Sequence, residues 1–364
     1  MVKKRPIDFP VLLTTVILVA IGIIMVFSAS YYSAAEAWGD GLFFFKRQCL
    51  WAVLGFTGMF VASRIDYSKL QRYSRIFILI SIAMLILVLL IGEPRNNAKR
   101  WLGIGNLSIQ PAEIAKFAMM FFIADTIARD KNRIKKFFTG LLPILMVAGF
   151  IFLLILKQPN LSTAGSILIL SLVMLFVGGA KLWHFGGLIG AGAVAAVALT
   201  ISAPYRFKRF TAFIDPWADP LADGWQLIQS LYSIGSGGLF GLGLAQSRQK
   251  YFYLPYPETD FIFAIIGEEL GFIGVVLLIS LFMILIWRGI RIALTAPDLF
   301  GCLLATGIIS MIAIQVVINI AVVTVSMPTT GVPLPFISYG GSSIAMFLTS
   351  IGVLLNISKH CKTT

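Results

Sequence analysis

The amino-acid sequence predicts an all-α polytopic membrane protein with about ten transmembrane helices. Of its 364 residues, 58% are hydrophobic and only 12% are charged, and the mean hydropathy is +0.91. Soluble domains carry about 25% charged residues, so this composition excludes an ordinary soluble protein. Apolar runs long enough to cross a bilayer, which takes about 20 residues, recur from one end of the chain to the other.

The predicted spans follow one another through mostly short connections, and we treat residues 1–364 as a single membrane domain. Two connections are longer, 92–111 and 204–259, and their Gly, Pro, Trp and charged residues favour ordered functional loops. The first span follows Lys3-Lys4-Arg5 and is long enough for an uncleaved anchor rather than a signal peptide. The spans are expected at 10–30, 48–63, 74–92, 112–128, 140–157, 161–180, 183–203, 260–287, 299–325 and 338–357.

The net charge of +13 fits the positive-inside rule better than it fits nucleic-acid binding. Basic residues concentrate before the first span, at 129–136 and after the last span. A cytoplasmic N-terminus would put these clusters into short cytoplasmic segments. Both termini are therefore expected in the cytoplasm, and 204–259 is expected as a large extracytoplasmic loop between helices 7 and 8.

Cysteine and histidine offer little chemistry in this chain. Cys49 and Cys302 fall within predicted spans and Cys361 lies in the tail, so all three are expected to be free thiols. The sequence has no Cys-x-x-Cys pair and no His/Cys cluster, which argues against a zinc site. With only His184 and His360 available, acid–base chemistry falls to carboxylates.

Asp260 is the strongest candidate for a catalytic residue. It stands where the polar run 255–260 turns into a long apolar stretch. A carboxylate at such a boundary meets water on one side and low dielectric on the other. That position can raise its pKa and let it accept a proton from a hydroxyl group.

Cations on the predicted outer side suggest a phosphate site. Lys99, Arg100 and Lys116 depart from the positive-inside bias, and Arg and Lys are the usual partners of a phosphate. Glu113 and Lys116 share a helix face just after Pro111. A helix-start acid with a local ion pair is the structural alternative for these two residues.

The long outer connection carries three further patterns. The run 205–210, which includes Arg209, alternates basic and aromatic residues and is typical of a membrane-interface anchor. Asp-Pro and Asp-Gly pairs at 215–224 predict turns rather than a calcium site. The glycines at 235–243 lack the Gly-Lys-Ser/Thr ending of a P-loop, so close backbone packing explains them better. A polar cluster at 246–250 follows.

Glu268 and Glu269 lie inside the eighth predicted span. An intramembrane carboxylate costs about 2.5–3.5 kcal/mol on insertion scales, so two adjacent ones require partners. They are expected to accept hydrogen bonds from neighbouring helices, as structural intramembrane acids. The last outer run, 327–343, is uncharged and rich in Pro, Gly and hydroxyl groups, which predicts a rigid loop that donates hydrogen bonds.

Four blocks in this order resemble the SEDS family (shape, elongation, division and sporulation), whose members polymerise peptidoglycan. The blocks are Lys99 through Lys116, Asp215 through Lys250, Thr259 through Gly271, and Gly331 through Ser343. The run 246–250 resembles the FtsW and SpoVE branch more than the RodA branch. The chain departs from the family pattern at Glu258, where His or Gln is usual, and at Asn160, where Asp is usual. It also has other residues at three positions where glycine is usual, namely Asn97, Ala222 and Val325.

The resemblance implies a peptidoglycan glycosyltransferase in the bacterial cytoplasmic membrane, with its active face extracytoplasmic and Asp260 as the catalytic residue. It implies lipid II, an undecaprenyl-pyrophosphate-linked disaccharide peptide, as substrate. The implied partners are a class B penicillin-binding protein transpeptidase and divisome or sporulation proteins, with no nucleic acid. The residues assigned to substrate binding are Arg100, Trp101, Glu113, Lys116, Arg209, Gln226, Gln229, Ser247, Arg248, Lys250, Ser338 and Ser342.

The leading hypothesis is an inverting glycosyl transfer. Asp260 would deprotonate the acceptor 4-hydroxyl, and Arg100, Lys116, Arg209, Arg248 and Lys250 would stabilise the departing pyrophosphate. No cofactor is required by the sequence. A divalent cation, Mg²⁺ or Mn²⁺, could assist at the pyrophosphate, although no ligand cluster calls for one.

Two alternatives belong to other functional classes. A lipid II flippase would use Glu268, Glu269 and the glycine-rich segments as a pathway, but the polar residues concentrate on one face and no repeats are visible. A non-catalytic scaffold for cell-wall assembly would need a separate polymerase. Assays of lipid II movement and of chain growth distinguish these alternatives.

Overall fold

The structure is a computed structural model that describes residues 6–95, 98–104 and 107–361. Several residues used in the sequence analysis lie outside these ranges. They are Lys3, Lys4, Arg5 and Asn97, together with Gly105 of the block 99–116 and Lys362 of the basic residues after the last span.

The described residues form twelve α-helices. Each of the ten segments predicted as spans falls on one of them. The helices are α1 Phe9–Trp38, α2 Phe43–Arg64, α3 Tyr67–Ile91, α4 Pro111–Arg129, α5 Leu142–Leu156, α6 Leu161–Val177, α7 Leu182–Ile201, α8 Pro204–Ile214, α9 Trp225–Ser236, α10 Ile262–Thr295, α11 Leu299–Val323 and α12 Ser342–Ser358.

Six helical segments in the described part of the chain are long and apolar enough to cross a membrane. They are α1, α3, Phe137–Leu156, α7, α10 and α11. Phe137–Leu156 joins a π-helical turn, Phe137–Leu141, to α5. The helices α6 and α12 are apolar but shorter. The helix α4 carries four charged residues, Glu113, Lys116, Asp125 and Arg129.

The expectation of an all-α protein is wrong at residues 93–109. Three short strands, β1 Glu93–Arg95, β2 Ala98–Ile104 and β3 Leu107–Ile109, form an antiparallel sheet in the order β1-β2-β3. Two residues separate each strand from the next in the sequence. Strands this short give too few alternating residues to be recognised beside long apolar runs.

The segment 204–259 also differs from the single long loop that was expected. It contains α8, a short 3-10 helix at Pro216–Ala218, and α9. Proline opens α8, where its fixed φ suits the first helical turn. Leu227 and Ile228 bury the inner face of α9. The sequence analysis missed these short helices because the many turn-forming residues around them predicted turns instead.

Capping residues begin several of the long helices. The side chains of Asp8, Asp66, Asn160 and Asp298 each accept a hydrogen bond from a backbone N–H in the first turn of α1, α3, α6 and α11. Such caps satisfy donors that a helix start leaves without partners.

Small residues let the helices approach closely, as is usual in membrane bundles. On α2, a Cβ added at Gly55 would lie 3.0 Å from the Cα of Ala345 on α12. A Cβ added at Gly352 on α12 would lie 2.3 Å from the carbonyl oxygen of Met59. The helices α2 and α12 therefore pack backbone against backbone, which a larger residue at either glycine would prevent.

The helix bundle has two ends. We call the end that carries the described N- and C-terminal residues the terminal end; there, Asp8 before α1 pairs with Arg288 of α10, and Asn356 of α12 donates to the carbonyl of Ser63. We call the opposite end, where the sheet, α8, α9 and residues 324–341 come together, the Asp260 end. The segments predicted to lie outside thus converge at one end, which positions the site described next.

Candidate active site

Asp260 lies two residues before the start of α10. Its backbone carbonyl accepts a hydrogen bond from the side chain of Asn319 on α11. The Asn319 Nδ2 group donates to the carbonyls of both Asp260 and Val332, each at 2.9 Å. Asn319 is buried, so this amide fixes the Asp260 segment and the 327–341 segment against each other.

Ser338 provides a second clamp on the same segment. Its hydroxyl donates to the carbonyl of Thr259 at 2.6 Å and accepts from the N–H of Leu334 at 2.8 Å. The N–H of Tyr339 donates to the carbonyl of Glu258 at 2.8 Å. The segment 327–341 is therefore the rigid wall behind Asp260, and Ser338 contacts the site through backbone groups.

Gly331 lies beside the Asp260 carboxyl. A Cβ added at Gly331 would lie 3.5 Å from the Asp260 Oδ2 atom, which is ordinary van der Waals contact. Glycine at this position therefore leaves this flank of the carboxyl without a side chain. A substrate hydroxyl could approach from that flank.

Burial raises the pKa of Asp260 from its ordinary value of 3.8 to about 6. The charge of Arg209 opposes this shift, the charge of Glu258 adds to it, and Arg100 opposes it more weakly. A carboxyl with a pKa near 6 is largely ionised at neutral pH and is still basic enough to accept a proton.

The two arginines beside Asp260 come from separate elements. Arg100, on β2, donates through Nε to the carbonyl of Gln158 at 2.9 Å and also contacts the carbonyl of Pro159. Arg209, on α8, donates from Nη1 to the carbonyl of Thr329 at 3.4 Å and is otherwise exposed. Both arginines use only backbone carbonyls in these contacts, so their positive charges are not neutralised there.

The two predicted phosphate-binding lysines have acidic partners. Lys116 pairs with Glu113 at 2.6 Å inside α4, and both side chains are buried. Ser343 of α12 donates to Glu113 at 2.8 Å. Lys250 pairs with Glu269 at 3.1 Å, again with both side chains buried. Each lysine is therefore paired with a buried carboxylate and is not free to bind a phosphate.

Glu268 and Glu269 hold the 247–250 segment onto α10. Glu268 accepts from the Ser247 hydroxyl at 2.5 Å and from the Arg248 N–H at 2.9 Å. Glu269 accepts from Ser28 of α1 at 2.7 Å as well as from Lys250. Both glutamates, adjacent on α10, therefore hold the same 247–250 segment.

Backbone contacts complete this attachment where α10 is broken. Gly271 has a φ of 66° inside α10. The N–H groups of Leu242 and Gly243 donate to the carbonyls of Glu268 and Glu269, and the N–H of Phe272 donates to the carbonyl of Gly238. The prediction of close backbone packing by the 235–243 glycines is confirmed, since a Cβ at Gly241 would lie 2.2 Å from the Glu269 carbonyl oxygen.

The remaining predicted site residues occupy different positions. Trp101 lies on β2, paired with Glu93 in the sheet. Gln226 is half-buried and Gln229 is buried on α9. Arg248 exposes its side chain. Ser342 is buried and accepts from the N–H of Gln110 at 3.2 Å, which joins the start of α12 to the start of α4.

Asn319 and Gln48 were missed as residues that shape the site. Gln48, buried on α2, donates to the carbonyl of Ser338 at 3.3 Å. Both are amides within apolar helices, and a polar residue in a predicted span requires a partner. That signal marks them as important, although it cannot identify the partner.

Within the described ranges, no group of three His, Cys, Asp or Glu side chains is close enough to hold a metal ion. The chemistry that the described residues offer is a partly buried carboxyl beside two arginines. The carboxyl can accept a proton, and the arginines can stabilise an anion next to it.

Comparison with known proteins identifies relatives along the whole chain. A family model described as "Cell cycle protein", covering FtsW, RodA and SpoVE, matches residues 10–363. Stage V sporulation protein E of Bacillus subtilis is 49% identical over 362 residues, 99% of each chain. A probable peptidoglycan glycosyltransferase FtsW of Trichlorobacter lovleyi is 43% identical, covering 98% of this chain and 94% of its own.

Solved structures share the fold. A chain from a structure described as "Structural coordination of polymerization and crosslinking by a peptidoglycan synthase complex" is 30% identical, with a TM-score of 0.81 and 97% of each chain covered. The rod shape determining protein RodA of Thermus thermophilus is 28% identical, with a TM-score of 0.73 and 98% of each chain covered. The resemblance inferred from the four sequence blocks is confirmed, and this membrane protein belongs to the FtsW/RodA/SpoVE family.

Proposed function

We propose that this protein is a peptidoglycan glycosyltransferase that polymerises lipid II at the outer face of the cytoplasmic membrane. The observation that carries the proposal is the Asp260 carboxyl, held by backbone clamps and flanked by Arg209 and Arg100. The names of the relatives add support, because a curated relative is called a peptidoglycan glycosyltransferase.

In the proposed reaction, the ionised Asp260 carboxylate takes the proton of the acceptor sugar's 4-hydroxyl. The oxygen then forms a bond to the anomeric carbon of the donor sugar. The bond from that carbon to the undecaprenyl pyrophosphate breaks, and its electron pair leaves with the pyrophosphate. Attack opposite the leaving group inverts the anomeric centre. The clear flank at Gly331 supports this approach of the hydroxyl.

The departing pyrophosphate needs positive charge more than it needs a proton. We assign that role to Arg209 and Arg100, because both act on Asp260 electrostatically and neither is ion-paired in the contacts described above. Arg248 is a further candidate because its side chain is exposed. Lys116 and Lys250 would instead hold the fold around the site. No step in this proposal is routed through Mg²⁺ or Mn²⁺.

The setting of the reaction is also part of the proposal. Ten helices would cross the membrane, with both termini in the cytoplasm and the Asp260 end outside. The partner would be a class B penicillin-binding protein, since a structural relative comes from a synthase complex that couples polymerisation to crosslinking. Division or sporulation proteins would recruit the pair.

The test is reconstitution of the purified protein with lipid II, with and without the transpeptidase partner, followed by glycan-length analysis. Asp260→Asn should lower polymerisation by about 10²–10⁴-fold, because a general base typically contributes that much. Asp219→Asn is the matched control, since Asp219 is exposed in the same outer segment.

Polymerisation by Asp260→Asn at the rate of the control would contradict the proposal. Movement of fluorescent lipid II across vesicles without chain growth would instead favour a flippase. Chain growth that depends only on an added polymerase would favour a scaffold. Repeating the assay in EDTA and with added Mg²⁺ or Mn²⁺ measures any dependence on a divalent cation.

A further inference from the structure

A cavity of about 360 Å³ lies between the end of α1 and the segment that precedes Asp260. This volume falls within the range of small-ligand sites, about 300–1,000 Å³. Its lining includes Ala37 and Trp38 of α1, Phe44 of α2, and Lys250, Phe252 and Glu258 of the 250–258 segment. None of these residues touches the reacting atoms in the glycosyl transfer proposed above, although the charge of Glu258 raises the pKa of Asp260.

Glu258 is the one acidic side chain among the described residues that line this cavity. Its side chain is 8% exposed, and its Oε2 atom accepts no hydrogen bond from any described residue. Burial raises the pKa of this carboxyl. Buried carboxylates usually have partners, so a buried oxygen without one indicates a position for an incoming group.

Lys250 also lines the cavity, but its ammonium is already used. It pairs with Glu269 at 3.1 Å and contacts the Ser28 hydroxyl at 3.4 Å. The lysine therefore does not neutralise Glu258. The cavity therefore contains a buried acid that is not ion-paired with Lys250.

Aromatic side chains form the rim. Trp38 is 60% exposed and stacks on Phe43 with ring centroids 4.4 Å apart. Phe252 is 61% exposed and has a φ of 66°, a left-handed conformation that a bulky residue rarely adopts. Phe44 packs edge-on against Tyr339 at 4.9 Å. Strained backbone such as that of Phe252 clusters at active sites and ligand-binding sites.

We propose that this cavity binds a primary alkylammonium group, with the Glu258 carboxylate as its counter-ion. The rings of Trp38, Phe44 and Phe252 would contact the methylene chain and attract the positive charge through their faces. The neighbouring Lys250 would repel the cation if it were free, but its pairing with Glu269 removes that obstacle. The ligand class is the side-chain end of a lysine-like amine.

A cation fits this cavity better than a neutral hydroxyl does. A hydroxyl would supply one hydrogen bond to Glu258 and leave its charge buried. An ammonium group supplies both the hydrogen bond and the opposite charge, and hydrogen bonds to charged groups are the stronger ones. An anionic ligand would be repelled by the ionised carboxylate.

Ligand-detected saturation-transfer NMR on the full-length protein in nanodiscs tests the inference directly. The probe is n-pentylammonium, compared with the neutral analogue pentan-1-ol, and empty nanodiscs correct for partition into lipid. Saturable binding of pentylammonium is expected, and Glu258→Gln should weaken it about tenfold or more. The binding assay needs no glycan synthesis, so its outcome is separate from that of the polymerase assay.

Two further variants keep the test decisive if Glu258→Gln folds poorly. Ala37→Leu should fill the cavity and reduce binding without changing any charge, because Ala37 lines it. Glu36→Gln is the matched control, since Glu36 is an exposed acid on the same helix and does not line the cavity. Equal binding of pentylammonium by the wild-type, Glu258→Gln and Ala37→Leu proteins would overturn the proposal, as would equal binding of pentan-1-ol.

Discussion

Asp260 is set by neighbours that pull its pKa in opposite directions. Burial and the charge of Glu258 raise the pKa, whereas Arg209 and Arg100 lower it, and the balance lies at about 6. Because the proton acceptor is the ionised form, activity should be present above pH 6 and fall as the pH drops through that value. The arginines thus serve both the carboxylate and the leaving group.

Two substitutions should move the acid limb of the pH profile in opposite directions. Glu258→Gln removes a negative charge, so the pKa of Asp260 falls and the limb moves to lower pH. Arg209→Gln removes a positive charge, so the limb moves to higher pH, in addition to any loss of rate. The measurement is kcat/KM for lipid II polymerisation against pH. A shift of both limbs in the same direction would refute this electrostatic account.

The broken helix α10 is the element that joins the site to the bundle. Gly271 adopts a left-handed φ, and a Cβ there would lie 2.2 Å from the backbone nitrogen of Gly241. The break lets residues 237–243 dock on exposed backbone groups of α10. The 247–250 segment then reaches Glu268 and Glu269.

Gly271→Ala should therefore destabilise the protein. Gly271 combines a φ of 66° with a ψ of −167°, which essentially only glycine adopts. This conformation alone costs about 1–3 kcal/mol for a residue with a Cβ, and the clash with Gly241 adds to that cost. The measurement is the thermal unfolding midpoint in detergent. Gly149→Ala on α5 is the control, because a Cβ there meets nothing within 4 Å. An unchanged midpoint for Gly271→Ala would show that the break is not needed.

At the same scale, the sequence predicted long elements better than short ones. Every predicted span falls on a helix, because a long apolar run is by itself sufficient to indicate one. The three strands and the helices α8 and α9 were missed, since their residues also suit turns and interface anchors. Their structure depends on contacts with residues distant in the sequence, such as the hydrogen bond from Arg100 to the carbonyl of Gln158.

Across the whole molecule, the contacts sort the connections into two ends. The terminal end is tied by Asp8 with Arg288, and the Asp260 end by Asn319 and Ser338. Among the described residues, the basic residue Arg288 lies at the terminal end. Under the positive-inside rule, the basic clusters of the sequence are expected in the cytoplasm, and the proposed orientation is based on that expectation.

Cysteine labelling checks that orientation. With Cys49, Cys302 and Cys361 replaced by serine, Leu221→Cys should react with a membrane-impermeant maleimide in intact cells. Lys131→Cys should react only after permeabilisation, because it belongs to a basic connection expected in the cytoplasm. Both positions are exposed, so accessibility within the fold does not limit the reaction. The reverse pattern would place Asp260 on the cytoplasmic side and end the polymerase proposal.

The sequence by itself determined that this chain is a helical membrane protein, which family it resembles and which carboxylate to examine. Composition and motifs are properties of the sequence alone, so they can be identified without knowing how the helices pack. Only the tertiary structure decided the partner of Lys250, which the sequence grouped with Arg209 as a binder of the pyrophosphate but which pairs with Glu269. The Glu113–Lys116 pair, in contrast, is local and was already an alternative in the sequence. A charge is neutralised by whatever lies beside it in space, and partners such as Glu269 and Ser28 come from distant parts of the chain.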